Sequence, residues 1–261
     1  MVYKAILSDA GDVLFDCRKN LSAKTEVLTK LYNIHCNQIL SENTVHSKFQ
    51  PYKRLSQTVM SEEDAINLFF KNNRLNASYN EYVEMLRLKK ITNELPSLFP
   101  GVTKTLKFLN TQKIPFFILT NNPYSEKELK KMTKKMIENQ LKEEENKKYF
   151  FRLSKYVTKQ ISSRDLGVCK PHIYFFKKAL KQANLKTELS NCLFVSHKKS
   201  ELLEAEKQGL SIVAVNYKEE PDASSIDDFI TNHQKKYYLG EKNNQAYKIE
   251  KFSEITKIIN S

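Results

Sequence analysis

The sequence predicts an α/β fold, a doubly wound parallel sheet with a helical cap inserted after its first strand. Two observations support this prediction. Short apolar runs, typical of buried strands, alternate with longer stretches of helical periodicity. Between residues 21 and 98 the periodicity is helical and no convincing strand interrupts it, which indicates an insertion. We therefore expect a core domain of residues 1–18 plus 99–261 and a helical cap domain of residues 19–98.

The first strand is predicted over Tyr3–Ser8, an apolar run that ends in the turn sequence Asp9–Asp12. Within the helical block, Ser61–Asp64 resembles a capping box that begins an apolar helical stripe. Pro100–Gly101 then begins a helix whose apolar residues share one face. These features place the return from the cap to the core close to residue 100.

The second half of the chain has four further predicted strands, at Ile114–Leu119, Val157–Ser162, Leu193–Ser196 and Ser211–Val215. Helices are predicted at Pro171–Ala183, Ser200–Gln208 and Phe252–Ile259, and an amphipathic surface helix within the lysine- and glutamate-rich residues 125–148. Residues 217–250 are polar and poorly periodic, so no element is predicted there.

The composition excludes several classes of protein. The 261-residue chain has 5 glycines, where average usage would give about 18. It contains neither a G-x-G-x-x-G dinucleotide loop nor the glycine-lysine loop of P-loop NTPases. Its 4 cysteines form no C-x-x-C pair, and none begins a C-x5-R phosphatase loop. We expect reduced thiols in a cytoplasmic protein, because the sequence shows neither a signal peptide nor a transmembrane run.

The net charge of +13 comes mainly from lysines spread along the whole chain. Lysine reads phosphate and guanine less specifically than arginine, because it cannot form the bidentate contacts of a guanidinium. We therefore expect no specific nucleic-acid binding, and only weak binding to anionic surfaces.

Reactive side chains stand near the ends of three predicted strands. Asp9 follows the first strand and Thr120 the second, and Lys170 lies just before the helix that follows the third. Ligands bind outside the carboxyl ends of the strands in an open parallel sheet. A carboxylate nucleophile, a hydroxyl donor and an ammonium are therefore expected at one edge of the sheet.

Four motifs in this order resemble those of the haloacid dehalogenase (HAD) superfamily of hydrolases, and the resemblance covers most of the chain. They are Ala5–Asp16 with Asp9, Ile118–Asn122 with Thr120, Leu166–Pro171 with Lys170, and Phe194–Gly209. Leu98–Val102 is similar to the turn that re-enters the core from a helical cap. The resemblance implies a Rossmann-like core and the phosphatase-like branch with a cap after the first motif.

The resemblance also implies a role for each residue. Asp9 would attack phosphorus and form an aspartyl-phosphate, which divides one difficult step into two easier ones. Lys170 would offset negative charge, and Thr120, Asn121 and Lys170 would bind the phosphoryl group. The implied substrate is a phosphorylated small molecule or a phosphoprotein.

Two positions depart from the family pattern. Gly11 stands where related phosphatases usually carry a second aspartate that protonates the leaving group, so good leaving groups would be favoured. In the fourth motif, the usual Mg²⁺-binding acids correspond to His197 and Glu201. If Mg²⁺ binds, the expected oxygen ligands are Asp9, the Gly11 carbonyl and Glu201.

Two alternatives stay open at this point. The chain could be a catalytically impaired HAD-fold binding protein, because His197 replaces the fourth-motif aspartate. It could also be a metal-independent hydrolase of the 2-haloacid dehalogenase type, whose fourth motif has a serine where this chain has Ser196 and an acid where it has Glu201.

Overall fold

A computed structural model describes residues 3–36, 38–89, 98–121, 155–185, 187–216, 218, 223–240 and 243–260. The chain divides into two compact units, one of Met1–Phe15 with Leu98–Ser261 and the other of Asp16–Ser97. The amphipathic helix predicted within residues 125–148 lies outside the described residues. Among the described helices, none has the length and apolar character needed to cross a membrane.

The unit Asp16–Ser97 is helical. Its helices are α1 (Arg18–Cys36), α2 (Glu42–Ser56), α3 (Glu62–Asn72) and α4 (Tyr79–Leu88). The last three each follow a serine whose hydroxyl accepts a hydrogen bond from the backbone N–H three residues later; these are Ser41, Ser61 and Ser78. Each serine thereby satisfies one of the N–H groups that a helix start leaves unpaired.

An aromatic cluster forms the centre of this helical unit. Phe69 is fully buried, and its ring lies 5.3 Å from the rings of both Phe49 and Tyr52 in edge-on geometry. Tyr32 on α1 and Phe70 on α3 lie about this same ring. The apolar stripe that the sequence predicts after Ser61 therefore becomes the core of the unit.

The other unit contains a six-stranded parallel sheet. Its strands are β1 (Ala5–Ser8), β2 (Phe116–Thr120), β3 (Lys159–Ser162), β4 (Cys192–Ser196), β5 (Ser211–Val215) and β6 (Ala246–Ile249). The spatial order is β3-β2-β1-β4-β5-β6 and every pair is parallel. This is the doubly wound, Rossmann-like arrangement, so the predicted fold class is confirmed.

Helices of this unit are α5 (Val102–Thr111), α6 (Ser163–Leu166), α7 (Ile173–Ala183), α8 (Lys199–Lys207), α9 (Ala223–Tyr238) and α10 (Ile255–Asn260). Apolar residues of α6 to α9 pack with one face of the sheet, where Phe176 lies edge-on to Phe194. On β2, Phe116 lies edge-on to Phe252. Every residue of β1, β2, β4 and β5 is buried, as expected for strands covered on both faces.

Two elements, α9 and β6, fall in residues 217–250, where the sequence predicts none. Helix α9 buries only Ile226, Ile230 and His233, a stripe too narrow to stand out in a polar sequence. Strand β6 is an edge strand of which only Ala246 is buried. The prediction for residues 217–250 was wrong because neither element needs a continuous apolar run.

A second difference concerns the end of the chain. The sequence predicts one helix over Phe252–Ile259, whereas the structure has a 3₁₀ turn at Phe252–Glu254 followed by α10. The turn contacts the start of α5 closely. Gly101, which precedes α5 with φ of 86°, has so little space that a Cβ added to it would lie 2.9 Å from Cβ of Ser253.

Candidate active site

The candidate site lies where the strand order of the sheet reverses, between β1 and β4. Asp9 directly follows β1, and His197 directly follows β4. The Asp9 N–H donates to the Val195 carbonyl at 2.9 Å, so the pairing of the two strands continues up to Asp9. Such a reversal is the place where doubly wound sheets bind ligands.

Lys170 is the cation at the centre of this site. Its Nζ lies 2.6 Å from Oδ1 of Asp9 and 2.9 Å from Oε2 of Glu201, and its side chain has no exposed surface. A buried ammonium needs such partners, because taking an unpaired charge out of water is costly. The sequence places these three residues in separate motifs, and the fold joins them through one ammonium.

The charges of this group support one another. Burial alone would raise the pKa of Asp9, but Lys170, and to a lesser degree Lys198 and His197, bring it below the ordinary value of 3.8. Burial alone would lower the pKa of Lys170, but Asp9 and Glu201 raise it. Asp9 is therefore a carboxylate and Lys170 an ammonium at neutral pH.

The two oxygens of Asp9 have different surroundings. Oδ1 accepts the Ala10 N–H at 2.8 Å and pairs with Lys170. Oδ2 lies 3.8 Å from Nε2 of His197, beyond hydrogen-bond distance. No described residue donates a hydrogen bond to Oδ2, so it is the less engaged of the two Asp9 oxygens.

Ser196 completes the surroundings of Glu201. Its hydroxyl donates to Oε2 of Glu201 at 3.0 Å, the same oxygen that faces Lys170. The hydroxyl also accepts the Lys198 N–H at 3.2 Å, which fixes the loop between β4 and α8. The sequence predicts Ser196 only as a feature of the dehalogenase alternative, and it does not predict the bond from Ser196 to Glu201.

Asn121 fixes the backbone of Lys170. Its Nδ2 donates to the Lys170 carbonyl at 3.0 Å, and its Oδ1 accepts the Lys170 N–H at 2.8 Å. The Lys170–Pro171 peptide bond is cis. The sequence predicts Asn121 as a phosphate-binding residue, but both polar atoms of its side chain engage the Lys170 backbone, which indicates a positioning role.

Thr120 and Gly11 lie near this group without joining it. Thr120 ends β2, the strand beside β1, and is 8% exposed. Within the described residues, no hydrogen bond links Thr120 to Asp9 or Lys170. Gly11 lies two residues after Asp9, and Asp12 next to it has a left-handed backbone with φ of 57°. The roles of Thr120 and Gly11 toward a substrate or metal stay predictions.

The donors present do not fit Mg²⁺. The two expected carboxylates, Asp9 and Glu201, already share one ammonium, and His197 lies beside the oxygen of Asp9 that Lys170 leaves free. Mg²⁺ prefers hard oxygen ligands in octahedral geometry, and an imidazole is a poor substitute for one. In the part of the chain that the structure describes, no group of three His, Cys, Asp or Glu could hold a metal ion.

Comparisons with solved structures support the fold. A HAD phosphatase from Thermococcus onnurineus is 18% identical with a TM-score of 0.57, over 98% of this chain and 97% of that one. The putative HAD-hydrolase YfnB from Bacillus subtilis, described as bound to magnesium, is 16% identical with a TM-score of 0.57 over all of both chains. A 2-haloacid dehalogenase from Pseudomonas syringae pv. Tomato is 15% identical with a TM-score of 0.58, over 100% and 99%.

These neighbours include phosphatases and dehalogenases at similar TM-scores, so they support the fold without selecting one activity. A search of curated proteins found no significant match. The family model for haloacid dehalogenase-like hydrolases matches residues 3–199. That segment contains Asp9, Lys170 and His197 and the first six residues of the predicted fourth motif, Phe194–Gly209; the rest of the motif, with Glu201, lies beyond it. The chain belongs to the haloacid dehalogenase-like hydrolase family.

Proposed function

We propose that this protein is a hydrolase that forms a covalent ester on Asp9, and that its substrates are phosphomonoesters. One observation carries the proposal. Asp9 is a buried, ionised carboxylate with one oxygen fixed by Lys170 and the Ala10 N–H, while Oδ2 accepts no hydrogen bond from the described residues. A nucleophile that is positioned and charged in this way needs no further activation.

In the first step, Oδ2 of Asp9 bonds to phosphorus as the bond from phosphorus to the ester oxygen breaks. The ester oxygen leaves with the electron pair of that bond and takes a proton from water. In the second step, water attacks the phosphorus of the aspartyl-phosphate. Inorganic phosphate leaves, and Asp9 regains its carboxylate. Lys170 stays paired with Oδ1 and holds the carboxylate in place.

The position of Lys198 supports the proposal that the substrate is an anion. It directly follows His197, its side chain is exposed, and its charge contributes to the lowered pKa of Asp9. Within the described residues its ammonium makes no ion pair. A phosphoryl group that approaches Asp9 would therefore meet a cation that is still available for pairing.

The leaving group is the second part of the specificity that we propose. Gly11 offers no side chain to protonate the ester oxygen. Esters whose leaving oxygen is a weak base, such as aryl and acyl phosphates, need this help least. Small aryl or acyl phosphates and phosphotyrosine in proteins fall in this class.

A second candidate function has its own supporting observation. Ser196 and Lys170 both engage Oε2 of Glu201, so this acid belongs to an ammonium-centred group rather than to a metal site. The same Asp9 could then displace halide from carbon 2 of a 2-haloacid, which forms a carboxylic ester that water cleaves at its carbonyl carbon. Halide would leave with the electron pair of its bond to carbon.

Parallel assays on one preparation test both candidates. The purified protein is incubated with p-nitrophenyl phosphate and with 2-chloropropionate, and phosphate and chloride release are measured. We expect phosphate release from the aryl phosphate, with kcat in Asp9→Asn reduced by about a thousandfold or more. Asp228→Asn, which changes an exposed aspartate of α9, is the control and should keep the wild-type rate.

The possible results separate the candidates. Chloride release without phosphate release would replace the first proposal with the second. Turnover that survives Asp9→Asn would contradict both, because both depend on this nucleophile. Absence of turnover across a broad panel of phosphate esters and haloacids would contradict both candidates and leave the catalytically impaired binding protein as the remaining alternative.

A further inference from the structure

We infer that Lys170 and His197 together take the place of a divalent metal, so that Asp9 acts without Mg²⁺. The inference rests on the proposed role of Asp9 as nucleophile. It departs from the magnesium dependence that the family resemblance implies. It concerns the side chains that would bind the metal, not the substrate.

The first argument concerns the side chains that surround the two Asp9 oxygens. Oδ1 faces Lys170 at 2.6 Å, and Oδ2 faces Nε2 of His197 at 3.8 Å. Both Lys170 and His197 are almost fully buried. A metal ion on Oδ1 would have to displace Lys170, and one on Oδ2 would meet the imidazole of His197 where the family pattern has a carboxylate.

The second argument is the occupation of Glu201. Its Oε2 pairs with Lys170 at 2.9 Å and accepts the Ser196 hydroxyl at 3.0 Å. Glu201 itself is 3% exposed, so it has little freedom to turn toward another cation. The second expected metal ligand is thus held by contacts with this chain's own residues.

The third argument is the balance of charge. Asp9 and Glu201 contribute two negative charges, Lys170 offsets one of them, and the exposed Lys198 adds a second positive charge nearby. Mg²⁺ gives up its water reluctantly and is usually held by one or two carboxylates, whose negative charge attracts it. Here the charges are already close to neutral before any ion arrives.

Metal binding can be measured without any activity. Mn²⁺, which gives an electron paramagnetic resonance signal when free, is titrated into the wild-type protein and into Asp9→Asn. We expect the two binding curves to coincide, because any Mn²⁺ that binds does so away from Asp9. A wild-type site that disappears in Asp9→Asn would overturn the inference.

A gain-of-binding variant tests the role of His197. We expect His197→Asp to acquire one Mn²⁺ site that His197→Asp/Asp9→Asn lacks, since it restores a carboxylate beside Oδ2. His197→Asn removes the imidazole without adding charge and should acquire none. If His197→Asp is folded by circular dichroism and still gains no site, the assignment of metal exclusion to His197 is overturned.

The same preparation separates this inference from the proposed function. If the protein hydrolyses p-nitrophenyl phosphate, the rate in 5–10 mM EDTA should stay within about twofold of the rate in Mg²⁺. A rate that falls by about tenfold or more in EDTA would overturn metal independence. If the protein hydrolyses nothing, the Mn²⁺ curves still decide whether Asp9 binds metal.

Discussion

Asn121 pairs with Lys170 as one strand residue pairs with another, since its side-chain amide donates to the Lys170 carbonyl and accepts from the Lys170 N–H. The two residues are 49 positions apart in the chain. Lys170 lies in a loop, yet its backbone is held at both polar atoms. The backbone position from which the Lys170 side chain reaches Asp9 and Glu201 is therefore fixed.

We expect Asn121→Ala to lower both stability and activity. The change leaves the backbone N–H and C=O of Lys170 without these partners, which should cost about 1–3 kcal/mol. Urea denaturation measures the free energy of unfolding, and kcat for an aryl phosphate measures the effect on the site. We expect kcat to fall by about tenfold or more, because a displacement of roughly 1 Å at a catalytic group is costly.

Asn33 offers a matched control for this substitution. Its side chain makes the same two bonds to the backbone of Leu40, at 3.1 and 2.9 Å, in the helical unit. Asn33→Ala should lose a similar amount of stability and keep its kcat. Equal losses of kcat in the two variants would show that Asn121 has no special role in positioning Lys170.

Removing the shared cation should destabilise the protein strongly. In Lys170→Met, Asp9 and Glu201 become two buried carboxylates without their ammonium, and breaking a buried pair costs about 3–5 kcal/mol. We expect the midpoint of urea unfolding to fall accordingly. Adding Glu201→Gln to this variant removes one of the two unpaired charges, so part of the loss should return. If Lys170→Met unfolds at the wild-type urea concentration, the three side chains are not coupled as described.

The pKa of Asp9 predicts how stability depends on pH. Its folded-state pKa is below the ordinary value of 3.8, so its ionisation stabilises the fold above the unfolded pKa. That contribution is lost as the pH falls through the folded pKa. Compared with Asp9→Asn, the wild type should have a stability advantage that is constant above about pH 5 and declines below about pH 4.

Urea unfolding at pH 7, 5, 4 and 3 measures this difference. Asp228→Asn is the control, because Asp228 is exposed on α9. Its difference from wild type should stay small throughout the series. A wild-type advantage over Asp9→Asn that grows toward pH 3 would mean that the pKa shift has the opposite sign.

Gly101 gives a prediction about the fold alone. Gly101→Ala should destabilise the protein by about 1–3 kcal/mol through its left-handed backbone, and further through the 2.9 Å approach of the new Cβ to Ser253. Gly240 also has a positive φ, but nothing lies within 4 Å of its added Cβ. Gly240→Ala therefore measures the loss of stability that comes from the left-handed backbone alone. If Gly101→Ala loses no more stability than Gly240→Ala, the packing of Gly101 against Ser253 is loose.

The parts of the fold that the sequence predicts are those with strong local signals. The apolar run before Asp9 and the run before Thr120 became fully buried central strands. By contrast, β6 lies at the edge of the sheet, where Ala246 is its one buried residue and Lys248 is exposed, so no apolar run is required.

In the candidate site, too, the sequence predicts the residues that have strong local signals and misses the others. Asp9 and Lys170 are recognisable because they stand in motifs at strand ends, and the fold brings them together. The positioning role of Asn121 and the bond from Ser196 to Glu201 depend on which backbone or side chain faces them after folding. Single-sequence patterns carry no such information on partners distant in the chain.

The central position of β1 has a consequence for the newly made chain. Its hydrogen-bonded neighbours begin at Phe116 and Cys192, although β1 itself begins at Ala5. During translation, this apolar strand emerges before both of its neighbours, and the second of them is complete only when Ser196 has been made. Long-range pairing of this kind is slow and leaves strand edges exposed. The strand that leads to Asp9 is thus made before both strands that pair with it, and its backbone stays unpaired in the nascent chain, the stage at which this fold most needs protection.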